Sequence, residues 1–292
     1  MSSTNKKAKS PSKPISQSLR LPHGPVSMAD LDPSATPGYP GEGKADAPAL
    51  TEALGPQVSD LQEMLYAAGR SNPETAPRLL VVLQGMDTSG KGGVIRHAMG
   101  LVDPQGIDLT AFKAPTEEER KHDYLWRIRN ALPGAGKIGI FDRSHYEDVL
   151  VVRVESLVPE DVWSKRYDEI NQFEAELVAG GTRIIKCMLN VSSEEQKARL
   201  AERLEDPTKY WKYNPADVDA RKKWPAYMEA YEALLEKCNT DAAPWYVIPA
   251  DRKWYRNWAV AELLRETLAG MPLSWPAAEF DVEVEKARVA AS

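Results

Sequence analysis

Arg78-Leu-Leu-Val-Val-Leu-Gln-Gly85-Met-Asp-Thr-Ser-Gly90-Lys91-Gly92-Gly93 decides how this chain folds. Its first half is a continuous apolar run, the pattern of a strand buried on both faces of a parallel sheet. The run ends at glycine, and a helix is expected from Lys91 to about Gly100. Strand, glycine-rich loop and helix form the setting in which G-X4-G-K binds phosphate. Glycine lets the backbone curl with its N–H groups turned inward, and the helix N-terminus adds positive potential. Gly85, Ser89, Gly90, Gly92 and Gly93 are therefore expected to surround a phosphate, with Lys91 as a mobile cation. The alternative reading is a plain strand-to-helix turn.

One position departs from the usual loop. Gly92 stands where Ser or Thr normally supplies a hydroxyl to Mg²⁺, and the loop instead carries Asp87. A carboxylate is a hard oxygen ligand suited to that ion. A second acid is expected nearby, because Lys137-Ile-Gly-Ile-Phe-Asp142-Arg143 reads as another buried strand ending in Asp. Both acids would then lie at the carboxyl ends of strands, where open α/β sheets bind ligands. Arg143 can meet a phosphate with its planar fork. Tyr146 and Glu147 follow as candidates for substrate contact, while Asp148 reads as helix-start chemistry.

Outward from these motifs the chain alternates. Helices are expected at Leu50–Ala68, Glu117–Ala131, Ser144–Glu155 and Glu160–Ala179, from Ser192 onward, and from about Lys253 to Ala269. Further strands are expected at Ile107–Phe112, Arg183–Val191 and from Trp245. Such alternation predicts an α/β fold: a mainly parallel sheet between two helix layers. Residues 1–48 are rich in Ser, Pro, Gly, Lys and Ala and read as a disordered or extended arm. The body should span 49–276, with a C-terminal tail at 277–292. Lys6, Lys7 and Lys9 read as solvating charges on the arm.

A second basic feature is the run from Lys197 through Arg199, Arg203 and Lys209 to Lys212. Arg199 and Arg203 share a helix face, and Asp206-Pro207 breaks that helix. Helix, break and helix with cations on one side suit a lid, about 199–222, that closes over a transferring phosphoryl group. The aromatic clusters Trp224–Tyr227 and Trp254–Trp258 read as packing.

The whole molecule carries a formal charge of -6 over 292 residues, which argues against a nucleic-acid binder. No stretch approaches the ~18 apolar residues that a membrane helix needs, and no apolar run follows the N-terminal lysines. A cytoplasmic location is the expectation. Two cysteines, Cys187 and Cys238, lack metal-ligand spacing, and Cys187 reads as a buried strand thiol.

With these pieces in place, the chain resembles the polyphosphate kinase 2 family over roughly Leu50 to Pro276. The resemblance is carried by the glycine loop at 85–93, Phe112-Lys-Ala-Pro, and Asp123-Tyr-Leu-Trp-Arg127. It continues through Phe141-Asp-Arg-Ser-His-Tyr-Glu-Asp-Val-Leu150, Arg199-X3-Arg203 with Asp206-Pro-X-Lys209-X-Trp-Lys212, and Ala243–Ala250 with Trp254-Tyr-Arg-Asn-Trp258. It implies a P-loop kinase-like three-layer fold with a helical lid. It implies Mg²⁺-dependent phosphoryl transfer between inorganic polyphosphate and nucleoside mono-, di- or triphosphates.

Carried onto this chain, Asp87 and Asp142 would be the catalytic, metal-associated acids, and Lys91 and Arg143 would bind the transferred phosphate. Arg199 and Arg203 would be lid arginines. Lys209 and Lys212 would line the polyphosphate path, and Lys113 and Arg127 would join the substrate contacts. Ser144-His-Tyr-Glu-Asp148 resembles the class III branch, which accepts mono- and diphosphates. Asp142 departs from it, since that branch commonly has Asn there and the diphosphate-using branch has Asp. The resemblance also suggests a homo-oligomer, dimer or tetramer. An acidic protein binds a polyanion when its cations are focused in one channel. Two other readings stay open: an ATP-dependent nucleotide or small-molecule kinase of similar fold, and a non-catalytic polyphosphate-binding protein.

Overall fold

The computed structural model describes residues 13–292. Five parallel strands form one sheet in the order β2-β3-β1-β4-β5. They are β1 (Arg78–Gln84), β2 (Ile107–Ala111), β3 (Ile138–Asp142), β4 (Thr182–Asn190) and β5 (Trp245–Pro249). β1 is central, and Leu79 to Gln84 are all buried, as a strand covered on both faces must be. β2 lies at the edge and is only partly covered. The register aligns Leu83 of β1 with Asp142 of β3, so the loop after Gln84 and the acid ending β3 sit side by side.

Helices flank the sheet. Helix Lys253–Ala269 packs on helices Gly55–Ser71 and Lys91–His97, while helix Arg166–Ala179 packs on β4 and on helix Trp224–Lys237. The strands fall within a residue or two of expectation, and so does helix Lys253–Ala269. Four expected helices are broken, and Leu50–Ala68 falls across two, Ala47–Glu52 and Gly55–Ser71. Glu117–Ala131 contains only a 3-10 turn, Glu119–Lys121, and the helix Trp126–Asn130. The Asp123 carboxylate accepts from the Leu125 amide at 2.9 Å and restarts the chain there. Ser144–Glu155 divides into a 3-10 turn, His145–Asp148, capped by the Ser144 hydroxyl, and a short helix, Val151–Val154. Glu160–Ala179 divides into Glu160–Trp163 and Arg166–Ala179.

The expected loose arm is tied down over its described part. Ile15, Leu19, Leu21 and Met28 are buried. Both Glu266 carboxylate oxygens accept amides at the start of helix Ile15–Leu19, from Ile15 at 2.7 Å and Ser16 at 2.9 Å. Arg20 bridges antiparallel to Tyr246, covering the β5 edge that would otherwise offer unpaired backbone. Tyr39 packs edge-on to Trp254 and Trp258. The segment has no core of its own, and its apolar residues instead fill gaps in the body. Lys6, Lys7 and Lys9 lie outside the described residues. The C-terminal segment forms a helix, Val282–Ala290, none of whose residues is buried.

Candidate functional site

The loop follows β1 with a run of unusual backbone. Gly85 and Gly90 have φ of 145° and 109°, and Thr88 has φ of 64°. Gly85 needs glycine for space as well, because a Cβ there would lie 2.7 Å from the Leu189 carbonyl oxygen. Gly92 is exposed, with open space where a Cβ would stand. Nothing steric therefore excludes the customary hydroxyl residue at that position. The Thr88 and Ser89 hydroxyls are buried without a protein partner; phosphate oxygens would satisfy both.

Lys91 opens helix Lys91–His97 and folds back over the loop. Its Nζ donates to Gly85 O at 2.8 Å and Met86 O at 3.4 Å, leaving one of three N–H groups to offer. Burial, and then the Arg143 charge, hold its pKa below the ordinary lysine value. Arg143 stands after β3 at φ 64°, anchored by its amide to Leu83 O at 3.0 Å. Its guanidinium makes an ion pair with Asp87. Burial opposes the Arg143 charge, but Asp87, Glu147 and Asp142 outweigh it and hold the pKa above the ordinary value. Asp142 is half-buried at the end of β3. Glu147 is pushed up by burial, with the Arg143 and Lys91 charges opposing. The structure thus brings Asp87, Lys91, Asp142, Arg143 and Glu147 within electrostatic reach of one another.

Other expected contacts fall elsewhere. Tyr146 is fully buried and turned into the core, which corrects its reading as a substrate contact. Its hydroxyl donates to Glu174 at 2.7 Å and accepts from Lys186 at 2.8 Å. Arg127 is buried; it donates to Lys113 O at 2.8 Å and lies over the Phe112 ring. Lys113 itself is exposed on a surface recess that Arg127 also lines.

Arg199 is the clearest relocation. Helix Ser193–Glu205 lays it against the loop from outside, and all five N–H groups are spent. They go to Glu195 (2.8 Å), Thr88 O (2.9 Å), Ser89 O (3.1 Å), Ala250 O (2.6 Å) and Asp251 O (2.9 Å). A fork so engaged has no donor left for a substrate, so the expected lid arginine clasps the loop backbone instead. The rest of the expected lid is a 3-10 turn, Pro207–Lys212, and a helix, Ala216–Lys222. Arg203 there donates to Lys212 O at 2.8 Å and Asp217 at 3.3 Å. Asp217 is raised by burial and then by the Asp87 charge, which puts this helix within electrostatic reach of the loop.

Arg203, Lys209 and Lys212 line a cationic recess with Lys253 and Arg256 beside Thr88 and Gly90. Glu202 partly neutralises it, 2.6 Å from Lys209 and 3.0 Å from Lys253. Lys253 and Arg256 were not expected there, because the Trp254–Trp258 cluster reads as packing. The signal available was the two cations interleaved with those aromatics. Among the described residues no three His, Cys, Asp or Glu converge as a metal cage. A small hard cation bound through one or two carboxylates and substrate phosphates does not require one.

Residues 51–273 match the family model described as polyphosphate kinase 2. The chain is 46% identical over 258 residues to an AMP/ADP-polyphosphate phosphotransferase of Meiothermus ruber, covering 88% of this chain and 94% of that one. It is 40% identical over 232 residues to an ADP-polyphosphate phosphotransferase of Rhodopseudomonas palustris, covering 75% and 78%. The crystal structure of a polyphosphate kinase 2 from Arthrobacter aurescens superposes with a TM-score of 0.92 at 49% identity, over 96% of this chain and 98% of that one.

Proposed function

The chain belongs to the polyphosphate kinase 2 family, and from that premise we infer that the Gly85–Gly93 loop is where its phosphoryl transfer occurs. The enzyme moves a phosphoryl group between inorganic polyphosphate and a nucleotide. One observation carries the assignment to this loop: Lys91 and Arg143 converge there with Asp87, Asp142 and Glu147. Phosphoryl transfer needs little covalent chemistry from a protein, and it needs cations and positioned acids around the migrating group.

In this reading Lys91 and Arg143 hold the oxygens of the migrating phosphoryl group and oppose its charge. Asp87 and Asp142 would hold Mg²⁺, with Glu147 adding negative charge nearby. The donor set fits, since two carboxylates are hard oxygen ligands and substrate phosphates would supply further oxygens. When bound, the ion supplies charge neutralisation between the two phosphate chains. Arg203, Lys209, Lys212 and Lys253 guide polyphosphate along the recess. Arg127 and Lys113 are proposed on the nucleotide side. Use of both ADP and AMP is supported by the name of the Meiothermus ruber relative, although Asp142 departs from the expected residue of that branch. A cytoplasmic, homo-oligomeric enzyme completes the reading, in keeping with two buried free thiols.

The test is an assay with polyphosphate as sole phosphoryl donor, Mg²⁺, and AMP, ADP, GMP or GDP as acceptor. ATP formed from ADP supports the reading, and ADP formed from AMP supports the monophosphate part. Turnover with ATP as the only effective donor would favour the ordinary nucleotide-kinase alternative. Absence of any conversion with Mg²⁺ saturating would favour the binding-only one.

A further inference from the structure

Arg256 lies on helix Lys253–Ala269, distant in sequence from the loop, yet it is built into it. It is 3% exposed and, among the described residues, no carboxylate pairs with it. Its Nη1 donates to Ser89 O at 3.0 Å, and its Nε and Nη2 hold Asn257 Oδ1 at 3.2 and 2.9 Å. A Cβ on Gly90 would stand 1.7 Å from Nη1, and one on Gly93 2.5 Å from Nη2. Two of the loop glycines thus make room for a guanidinium arriving from another element.

Three successive loop carbonyls are held from outside. Gln196 Nε2 takes Asp87 O at 3.0 Å, Arg199 takes Thr88 O, and Arg199 and Arg256 share Ser89 O. Within a planar trans peptide the N–H points opposite to the C=O. Holding these carbonyls outward therefore fixes the direction of the Thr88 and Gly90 amides, while the Ser89 amide is spent on Met86 O. Donors aimed in advance stabilise charge without reorganisation during the reaction. Burying a cation without a counter-ion is a poor way to gain stability alone, since an apolar side chain of similar volume does as well or better.

We propose that Arg256 is a positioning residue for phosphoryl transfer, holding the Ser89 carbonyl outward so that the loop amides face the phosphate. This rests on the loop being the transfer site. It acts through the backbone and not by touching the nucleotide, so its loss should lower kcat much more than it raises KM for ADP.

The test is steady-state kinetics of Arg256→Met and Arg256→Lys with polyphosphate and ADP beside the wild type, with thermal unfolding followed for each. We expect kcat to fall roughly 10- to 100-fold with less than about a threefold change in KM for ADP. Lysine, a point charge without a fork, should restore the melting temperature more fully than kcat. A folded methionine variant with wild-type kcat overturns the proposal. So does full recovery of kcat by lysine, or a loss that follows the unfolded fraction alone. If neither variant folds, Gly93→Ala decides, because its Cβ would push the guanidinium off Ser89. Reduced kcat in folded Gly93→Ala supports the proposal, and unchanged kcat overturns it. A wild type without turnover removes the functional reading and this one together, whereas normal wild-type turnover with unaffected variants removes this one alone.

Discussion

The Arg143 guanidinium reaches from the end of β3 to the Asp87 carboxylate in the neighbouring loop. The contact joins the two acidic strand ends into one unit.

Removing the charge of Asp87 should therefore separate chemistry from folding. Asp87→Asn is nearly isosteric and stands half-buried, so we expect a melting temperature close to wild type. Turnover should fall on the order of a hundredfold or more, as for loss of a metal-side or charge-stabilising group. Arg143→Lys keeps the charge and loses the fork, and a drop of roughly tenfold or more in kcat is expected. Near-normal turnover in Asp87→Asn would mean that the carboxylate neither holds the ion nor orients the phosphate.

Glu202 sits among the cations of the recess, paired with Lys209 and Lys253. Hydrogen bonds from Lys209 and Lys253 bring its pKa down to about 2, so it stays ionised across any working pH. Glu202→Gln should free both lysines and lower KM for polyphosphate, while Lys253→Ala should raise it several-fold. Both effects should shrink as salt rises from about 0.1 M toward 1 M, where the screening length falls from roughly 10 to 3 Å. A polyphosphate KM indifferent to salt and to both substitutions would remove the recess from the substrate path.

A buried ion pair under the site sets an acid limit to stability. Lys186 Nζ contacts Glu174 at 2.6 Å, Tyr146 OH at 2.8 Å and Cys238 O at 2.7 Å, all beneath the surface. Burial acts to raise the Glu174 pKa, but Lys186 and His145 prevail and hold it below the ordinary value of 4.5. With the native pKa depressed, the contribution is full above the unfolded pKa and is lost as pH falls from about 4.5 through the lower native value. Glu174→Gln should flatten the acid limb of a denaturation profile below that point. Lys186→Met alone should cost about 3–5 kcal/mol by stranding the carboxylate, and pairing it with Glu174→Gln should recover much of that. Additive losses in the double variant would show the two groups to be independent.

Both thiols should be silent in the folded state. Cys187 and Cys238 are buried, and burial pushes each up to about 12. A thiol reagent at pH 8 should label neither in native protein and both in denaturant. Rapid labelling of either without denaturant would reveal an opening of the β4 region.

Much of the fold was legible because its strands announce themselves. The run Leu79–Leu83 is apolar throughout, and a glycine loop follows it, so the strand, the loop and the start of the helix could be placed within a residue or two. The places of Asp87, Lys91, Asp142 and Arg143 were legible for the same reason, since each lies within a few residues of a strand end or a helix start. The interruption at Asp123 was not, because it depends on whether one short polar side chain turns back on its own backbone. The anchoring of residues 15–28 was illegible in another way: those side chains are few, and their partners lie more than 200 residues away.

By itself the sequence determined a mainly parallel sheet, a glycine loop after the strand at 78–84, and two acids, Asp87 and Asp142, beyond or at strand ends. Local pattern and short spacing are sufficient for those features. Only the tertiary structure decided which guanidinium groups are tied to the loop. Arg199 and Arg203 share a helix face four residues apart and both border the recess, yet the first spends its whole fork on Glu195 and backbone carbonyls of the loop and of Ala250 and Asp251, while the second turns to Lys212 O and Asp217. Arg256 fills the space left by Gly90 and Gly93. What a guanidinium does is set by where its acceptors lie, and those acceptors come from elements far apart in the chain.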